Sequence, residues 1–109
     1  MQNWLVPLSE FQDRLGQDGK PFYVGMRSGS MSVELFAPDG PDTQQPHEQD
    51  EIYIIVRGSG IFSKSGETRP FQAGDVIFVE ARAQHRFESF TPDFATWVIF
   101  WGPVGGEGA

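Results

Sequence analysis

The chain has 109 residues, of which 39% are hydrophobic and 14% aromatic, and this length fits a single domain with one compact core. The formal net charge of -7 argues against binding to nucleic-acid phosphates or to an anionic membrane surface, because like charges repel. Since the sequence holds no cysteine, disulfides, thiolate metal sites and thiol nucleophiles are excluded, and any metal must be bound through nitrogen and oxygen atoms.

The start of the chain has neither a basic segment nor a long apolar run, so no signal peptide is predicted, and no stretch approaches the length of a membrane span. We expect a cytoplasmic protein without a membrane partner or a nucleic-acid partner. Residues 1–21 are predicted to form an N-terminal arm with one short helix over residues 9–15. Ser9 would cap this helix, and Phe11 and Leu15 would share one of its faces.

The rest of the chain, as far as residue 101, consists of short apolar runs separated by glycine and proline, which predicts strands and turns. The predicted strands cover residues 22–27, 31–36, 51–57, 61–64, 76–80, 84–90 and 94–101. Such spacing is typical of an all-β sandwich or barrel. We predict a single domain over residues 1–109, with a barrel core over about residues 22–101 and a flexible, glycine-rich tail over residues 102–109.

Two of the predicted strands are apolar on both faces. In the strand 51–57, Glu51, Tyr53 and Ile55 share one face, and the isoleucines on either side of Tyr53 share the other. The strand 94–101 has the same character. Two explanations for the second apolar face remain open: it forms the interface of a homodimer, or the N-terminal arm covers it.

The chain has two histidines, His47 and His85. Gln45, His47 and Glu51 are separated by even numbers of residues, so an extended backbone would point all three to the same side. Pro46 supports this conformation, because a proline disfavours the helical region for the residue before it. With His85 supplied by a neighbouring strand, two imidazoles and a carboxylate form a ligand set that suits Fe(II), Mn(II), Ni(II), Cu(II) or Zn(II). The alternative is that both histidines are structural or surface residues.

The stretch from Pro46 to Tyr53 resembles the first conserved motif of the cupin superfamily, in which a pair of histidines precedes a glutamate and a closing glycine. His47 matches the second histidine, Glu51 the glutamate and Gly58 the glycine, all with matching spacing. The segment is similar to that of small single-domain cupins of the cupin 2 type. The resemblance covers about residues 22–101, which is nearly the whole domain.

A second stretch resembles the second cupin motif. Gly74 and His85 match its first glycine and its histidine at the right separation. Glu80 replaces the proline of the motif, Arg82 its second glycine and Ser89 its asparagine. The proline and glycine are turn residues, so their replacement mainly changes a loop.

The resemblance implies a double-stranded β-helix, that is, a jelly-roll barrel, preceded here by a short N-terminal helix. It also implies a divalent transition metal (Fe, Mn, Ni or Zn) bound in the barrel mouth by His47, Glu51 and His85, and often a homodimer. Gln45 stands where the first histidine of the motif belongs, and its amide oxygen is a candidate fourth ligand. Tyr53 shares the face of Glu51 and is a candidate catalytic residue that donates a proton or orients the substrate; the alternative is that it belongs to the inner wall.

Such a site implies a small-molecule substrate or ligand and leaves three functions open. A facial triad with open coordination positions favours a dioxygenase-like enzyme acting on a small organic substrate. A metal-dependent isomerase or lyase acting on a sugar or a keto acid is the nearest alternative, since cupins support all of these reactions. The third function is non-catalytic ligand binding, which the replacement of a histidine by Gln45 favours.

Overall fold

A computed structural model describes residues 3–108 of the chain. Its elements are α1 (Leu8–Arg14), β1 (Phe22–Ser28), β2 (Met31–Phe36), β3 (Asp50–Arg57), β4 (Ser59–Lys64), β5 (Glu67–Gln72), β6 (Val76–Val79), β7 (His85–Phe90) and β8 (Ala95–Trp101). The strands pair antiparallel in a five-stranded sheet of order β1-β2-β8-β3-β6 and a three-stranded sheet of order β5-β4-β7. The predicted all-β jelly-roll fold with a short N-terminal helix is confirmed.

Two local predictions need correction. The sequence did not predict β5, because this strand is exposed except for Phe71 and contains Pro70, which an edge strand tolerates. The helix begins one residue earlier than predicted, with Pro7 at its N-cap and no side-chain capping bond, so the capping role of Ser9 is wrong. Within the described residues, no helix has the length and apolar character needed to cross a membrane.

The space between the two sheets is filled mainly by aromatic rings. Phe87 on β7 lies at the centre of this core and is 1% exposed. Its ring contacts five others: Phe36, Tyr53, Phe62, Phe71 and Phe94. Because each aromatic side chain buries a large apolar area, this cluster accounts for much of the stability of the barrel.

The N-terminal arm covers part of the outer face of the five-stranded sheet. Phe11 of α1 is buried and packs against Leu35 and Ala95. A Cβ atom at Gly25 would lie 2.4 Å from the ring of Phe11, so this position on β1 requires glycine. The arm therefore explains one part of the second apolar face that the sequence predicts.

The far side of the same face remains partly open. Val76 and Phe78 on the edge strand β6 are 64% and 49% exposed, and Phe78 pairs with Ile52 of β3 in the sheet register. The arm does not account for these apolar side chains, so the homodimer stays a prediction for this region.

The segment after β8 is hydrogen-bonded to the barrel. The Gly102 N–H donates to Ser30 Oγ at 3.0 Å, and the Gly105 N–H donates to the Glu48 carbonyl at 2.7 Å. The Glu107 N–H donates to Asp50 Oδ2 at 2.9 Å. These bonds fix the path of residues 102–107 across the start of β3; the flexibility of the tail stays a prediction.

Candidate metal centre

The fold brings His47, Glu51 and His85 together. Their ligating atoms all lie within 4.8 Å of one another. Glu51 is the second residue of β3, His85 is the first residue of β7, and His47 belongs to the loop that precedes β3. Two imidazoles and a carboxylate at these distances form a group that could hold a metal ion.

The carboxylate of Glu51 stands between the two histidines. Its Oε1 atom lies 3.0 Å from His47 Nδ1 and 3.0 Å from His85 Nε2. Burial acts to raise the pKa of Glu51, but the two imidazoles outweigh it and hold this pKa below its usual range. For His85, burial opposes the charged form, yet Glu51 and the Ala83 carbonyl outweigh it and raise the pKa of His85. The imidazoles therefore favour the ionised form of Glu51, and Glu51 favours the protonated form of His85.

Two buried atoms of this group have no hydrogen-bond partner among the described residues: Glu51 Oε2 and His85 Nε2. His85 Nδ1 lies 2.9 Å from the Ala83 carbonyl, and a carbonyl only accepts, so Nδ1 carries the proton. Metal binding requires the neutral ring, in which Nε2 presents a lone pair towards Glu51; its 3.0 Å approach to Oε1 lacks the alignment of a hydrogen bond. Buried polar atoms are rarely left unpaired, and a cation would satisfy both acceptors, so these residues fit a metal.

The loop after β6 holds the loop of His47 in place. The Arg82 N–H donates to the His47 carbonyl at 2.6 Å, and Arg82 Nε donates to Glu48 Oε2 at 2.9 Å. Arg82 has a φ of 70°, a left-handed conformation that favours glycine, which is the residue of the cupin motif at this position. A non-glycine residue in this region costs about 1 kcal/mol or more. Of the two contacts, only the exposed Arg82–Glu48 pair is one that glycine could not make, and such pairs contribute about 0–1 kcal/mol.

A second set of polar contacts crosses the barrel opening. Asp42 is 7% exposed, and its Oδ2 accepts hydrogen bonds from the Phe87 N–H at 2.9 Å and from Gln44 Nε2 at 2.7 Å. Gln44 Oε1 in turn accepts a bond from the Tyr53 hydroxyl at 3.2 Å. Neither Asp42 nor Gln44 was predicted from the sequence. The sequence signal that could have identified Asp42 is its tendency to form an Asx turn. In the structure, Asp42 Oδ1 accepts a hydrogen bond from the Gln44 N–H two residues on, which is this pattern.

A cavity of about 830 Å³ opens beside His47. Its inner wall includes the apolar side chains of Phe36, Val98 and Phe100, and its polar groups include Glu34 and Gln44. The volume suits a small organic molecule. Because Lys20, Asp39, Asp42 and Thr43 also belong to the lining, the cavity offers a ligand both apolar and polar contacts.

Glu34 on β2 is a third residue of the site, after Asp42 and Gln44, that was not predicted from the sequence. Burial raises the pKa of Glu34 to about 7; the charges of His47 and Arg27 act in the opposite direction, and that of Glu51 adds to the rise. The signal for its position was the alternation of β2, in which Val33 and Leu35 face the arm and Glu34 faces the barrel interior.

Gln45 and Tyr53 occupy different environments. Gln45 is exposed and lines a depression together with His85, whereas His47 lines the cavity described above. Tyr53 is 1% exposed and donates its hydroxyl hydrogen to Gln44. Burial raises the pKa of Tyr53 well above its usual value, so the phenol keeps its proton. The ligand role of Gln45 and the catalytic role of Tyr53 stay predictions.

Comparisons with known proteins agree with the fold. The Cupin domain family matches residues 32–101. An uncharacterized protein from Streptomyces coelicolor is 34% identical over 93 residues, which cover 84% of this chain and 88% of that protein. Acireductone dioxygenase from Acidiphilium cryptum is 33% identical over 92 residues, which cover 72% of this chain but only 51% of that enzyme.

Among solved structures, a Cupin 2 conserved barrel domain protein from Salinispora arenicola is similar with a TM-score of 0.69 and 22% identity, over 90% of this chain and 87% of that one. At this identity the likeness shows the fold alone. The family match covers well over half of the chain and agrees with the resemblance seen in its motifs. The chain therefore belongs to the Cupin 2 family of cupin domains.

Proposed function

We propose that this protein is a metal-dependent, dioxygenase-like enzyme that acts on a small organic substrate. The observation that carries the proposal is the group of His47, Glu51 and His85, with two buried acceptor atoms that lack a partner among the described residues. A facial triad of this composition leaves coordination positions open for substrate and dioxygen. The similarity to an acireductone dioxygenase over 72% of the chain supports the reaction class, although the chain spans about half of that enzyme.

In this proposal His47, Glu51 and His85 hold a divalent transition metal, with iron as the first candidate and manganese, nickel and zinc as alternatives. The metal would supply a Lewis acid and open positions for ligands. The Ala83 carbonyl orients the ring of His85, and Arg82 holds the backbone of His47. Fixing the ligands in this way lowers the cost of ordering them when a metal binds.

The cavity beside His47 would hold the substrate. Its apolar side chains, Phe36, Val98 and Phe100, lower the local polarity on the inner side, which strengthens electrostatic interactions there. Tyr53 acts on the substrate through Gln44 in this proposal, because its hydroxyl hydrogen is already donated to the Gln44 amide. Tyr53→Phe should then weaken substrate binding without changing metal content.

Elemental analysis of untagged protein, purified without chelator, tests the metal site. The wild type should contain a transition metal at close to one equivalent, and a His47→Ala/His85→Ala double variant should contain none. Iron in the wild type would lead directly to measurements of dioxygen uptake with candidate substrates. Absence of metal in the wild type, together with no uptake on reconstitution, would contradict the proposed function and leave the non-catalytic binding role.

Gln45 is proposed as a fourth ligand, and the same preparation tests it. Loss of a ligand or of its support usually lowers metal affinity by about tenfold or more. Gln45→Ala should therefore weaken zinc binding by at least this factor in a competition titration with a chelator. Unchanged affinity would remove Gln45 from the ligand set while leaving the three other residues in place.

We also propose a homodimer that buries the open part of the outer sheet face. Val76 and Phe78 are exposed there, and the ring of Phe78 lies 6.2 Å from that of Trp101, which extends the apolar surface. Phe78→Lys should convert the dimer to a monomer in sedimentation experiments. Val104→Lys, in the exposed segment after β8, is the matched control and should leave the dimer intact.

A further inference from the structure

We propose that Glu34 is a further catalytic residue of this site, which accepts a proton from a substrate bound in the cavity beside His47. This inference rests on the proposed function and extends it to a substrate class. The substrate would carry an acidic proton close to its metal-binding oxygens, as in a hydroxy ketone, an enediol or a catechol.

The sheet register places Glu34 on the inner face of the barrel. Glu34 on β2 pairs with Val98 on β8, and Val98 pairs with Tyr53 on β3. Residues directly opposite each other on neighbouring strands point to the same face, and Tyr53 is buried in the core between the sheets. Glu34 lines the same cavity as His47 and Gln44. A molecule in this cavity therefore lies against both the candidate metal ligand and the Glu34 side chain.

Glu34 is not a member of the ligand group. The carboxylates and imidazoles that lie within 4.8 Å of one another are those of His47, Glu51 and His85 alone, within the described residues. The position of Glu34 in the cavity wall suits contact with a bound molecule rather than direct coordination of the metal.

Glu34 lacks a structural partner within the described range 3–108. Its carboxyl group has no hydrogen bond or ion pair with any of these residues, although the side chain is half-buried beside Phe36 and Phe100. Placing a carboxyl group in apolar surroundings without a partner costs free energy of folding, so a structural role alone would favour an apolar residue here. A divalent cation nearby would favour the charged carboxylate, which is the form that accepts a proton.

The other buried or half-buried polar groups of the cavity lining each have a partner, whereas Lys20, Asp39 and Thr43 of the lining are exposed. The amide nitrogen of Gln44 donates to Asp42, and its oxygen accepts from Tyr53. His47 Nδ1 lies 3.0 Å from Glu51. Asp42 accepts hydrogen bonds from Phe87 and Gln44. Glu34 is therefore the half-buried titratable group of this cavity that stays free to interact with a substrate.

The proposed step is a transfer of one proton from the substrate to Glu34, with no change of oxidation state. The C–H or O–H bond of the substrate breaks, the proton forms an O–H bond with a carboxylate oxygen of Glu34, and the electron pair remains on the substrate as an enolate or alkoxide. In a dioxygenase-like reaction this step makes the substrate electron-rich. In the alternative isomerase reaction, Glu34 would return the proton to a neighbouring carbon.

The probe 4-nitrocatechol tests this inference on zinc-loaded protein, because zinc is colourless and the absorption of the probe reports its protonation state. At neutral pH the free probe keeps one hydroxyl proton. The wild type should bind it with the spectrum of the dianion, and calorimetry in two buffers of different ionisation enthalpy should show that the last proton stays on the protein. Glu34→Gln should bind the probe at least tenfold more weakly and release that proton to the buffer or leave it on the probe.

Two further variants separate a catalytic role from a structural one. Glu34→Asp keeps the carboxylate on a shorter side chain, so it should keep the dianion spectrum with reduced affinity. Should Glu34→Gln not fold, this loss of affinity at normal zinc content tests the inference, and unchanged affinity would overturn it. Glu67→Gln makes the same chemical change at an exposed position outside this cavity and should behave as the wild type. Zinc content is measured for every sample, since its loss from the wild type would overturn the proposed function itself. Normal zinc content with the same spectrum and proton count in wild type and Glu34→Gln would overturn the inference alone.

Discussion

The two ends of the barrel interior are built from the same strands but contain opposite chemistry. On β3, the buried carboxylate of Glu51 is four residues from Ile55, which belongs to the apolar core. On β7, the imidazole of His85 is two residues from Phe87, the centre of the aromatic cluster. We refer to the end with His47, Glu51 and His85 as the polar mouth, and to the end with Phe62, Phe71, Phe87 and Phe94 as the aromatic floor.

This comparison separates stability from function within a single core. The floor gains free energy from burial of apolar area, which requires only size and shape. The mouth contains buried groups whose charges must be balanced, which costs free energy unless a partner or a metal is present. Changes in the floor should therefore alter stability first, and changes in the mouth should alter metal and substrate binding first.

The largest effect is expected from Phe87→Ala. Phe87 contacts five other rings and is 1% exposed, so its removal leaves a cavity and should lower the free energy of unfolding by about 3–5 kcal/mol. Urea denaturation followed by fluorescence measures this loss. Trp4→Ala removes an aromatic side chain from a site that is 74% exposed and should cost less than about 1 kcal/mol. Equal losses in the two variants would contradict a floor that is built around Phe87.

The fold could be predicted from the sequence because the floor follows simple rules. Alternating apolar residues and glycine-rich turns placed seven of the eight strands, and the fully exposed character of β5 apart from Phe71 explains why that strand was missed. Gly58 was identified from its motif, and the structure adds the reason. Its φ is 88°, and a Cβ atom there would lie 2.7 Å from the Phe94 backbone.

The mouth was only partly predictable. His47, Glu51 and His85 carry motif spacing, so they could be identified from the sequence. Glu34 carries no motif, and its role depends on a β2–β8–β3 register that the sequence does not specify. Asp42 bonds to Phe87, which lies far along the chain. Contacts of this kind arise from tertiary structure, and local patterns do not contain them.

Metal binding should stabilise the mouth without involving the floor. Zinc at about 100 times its Kd should raise the free energy of unfolding of the wild type by about 2.7 kcal/mol. Glu51→Gln removes the central carboxylate and should abolish the increase. Ile55→Val, in the apolar core that also contains the floor, should lower stability by about 0.5–1.5 kcal/mol and keep the full increase with zinc. A smaller increase in Ile55→Val would show that the two ends are energetically coupled.

Asp42 connects the two ends, so a change there should affect both. Its carboxylate accepts from the Phe87 N–H of the floor and from Gln44 at the opening. Asp42→Asn replaces one acceptor oxygen by an NH₂ group that faces other donors, and it should cost about 1–3 kcal/mol. Hydrogen exchange should also accelerate in residues 41–46. The exposed neighbour Asp39→Asn is the control, and an equal change in both variants would contradict the connecting role.

The smallest effect concerns acid stability outside the barrel interior, where Asp50 holds two loops together. The N–H groups of Glu107 and Ala81 donate to its carboxylate and hold the pKa of Asp50 below its usual range. A carboxyl group whose pKa falls on folding stabilises the folded state above its pKa in the unfolded chain, about 3.9, and this contribution is lost as the pH falls through the lower folded value.

Asp50→Asn removes this titration. The variant should be less stable than the wild type at pH 7, and the difference between the two should shrink below about pH 4, where the wild type loses the same contribution. Urea unfolding at neutral and acidic pH measures the difference directly. Asp50 is next to Glu51 in the sequence, but its carboxylate accepts hydrogen bonds from the Ala81 and Glu107 N–H groups and is not one of the three candidate ligands. The metal content of the variant should therefore not change. A stability difference that is constant with pH would mean that the variant loses packing rather than charge. The titration of Asp50 would then make no contribution to acid stability.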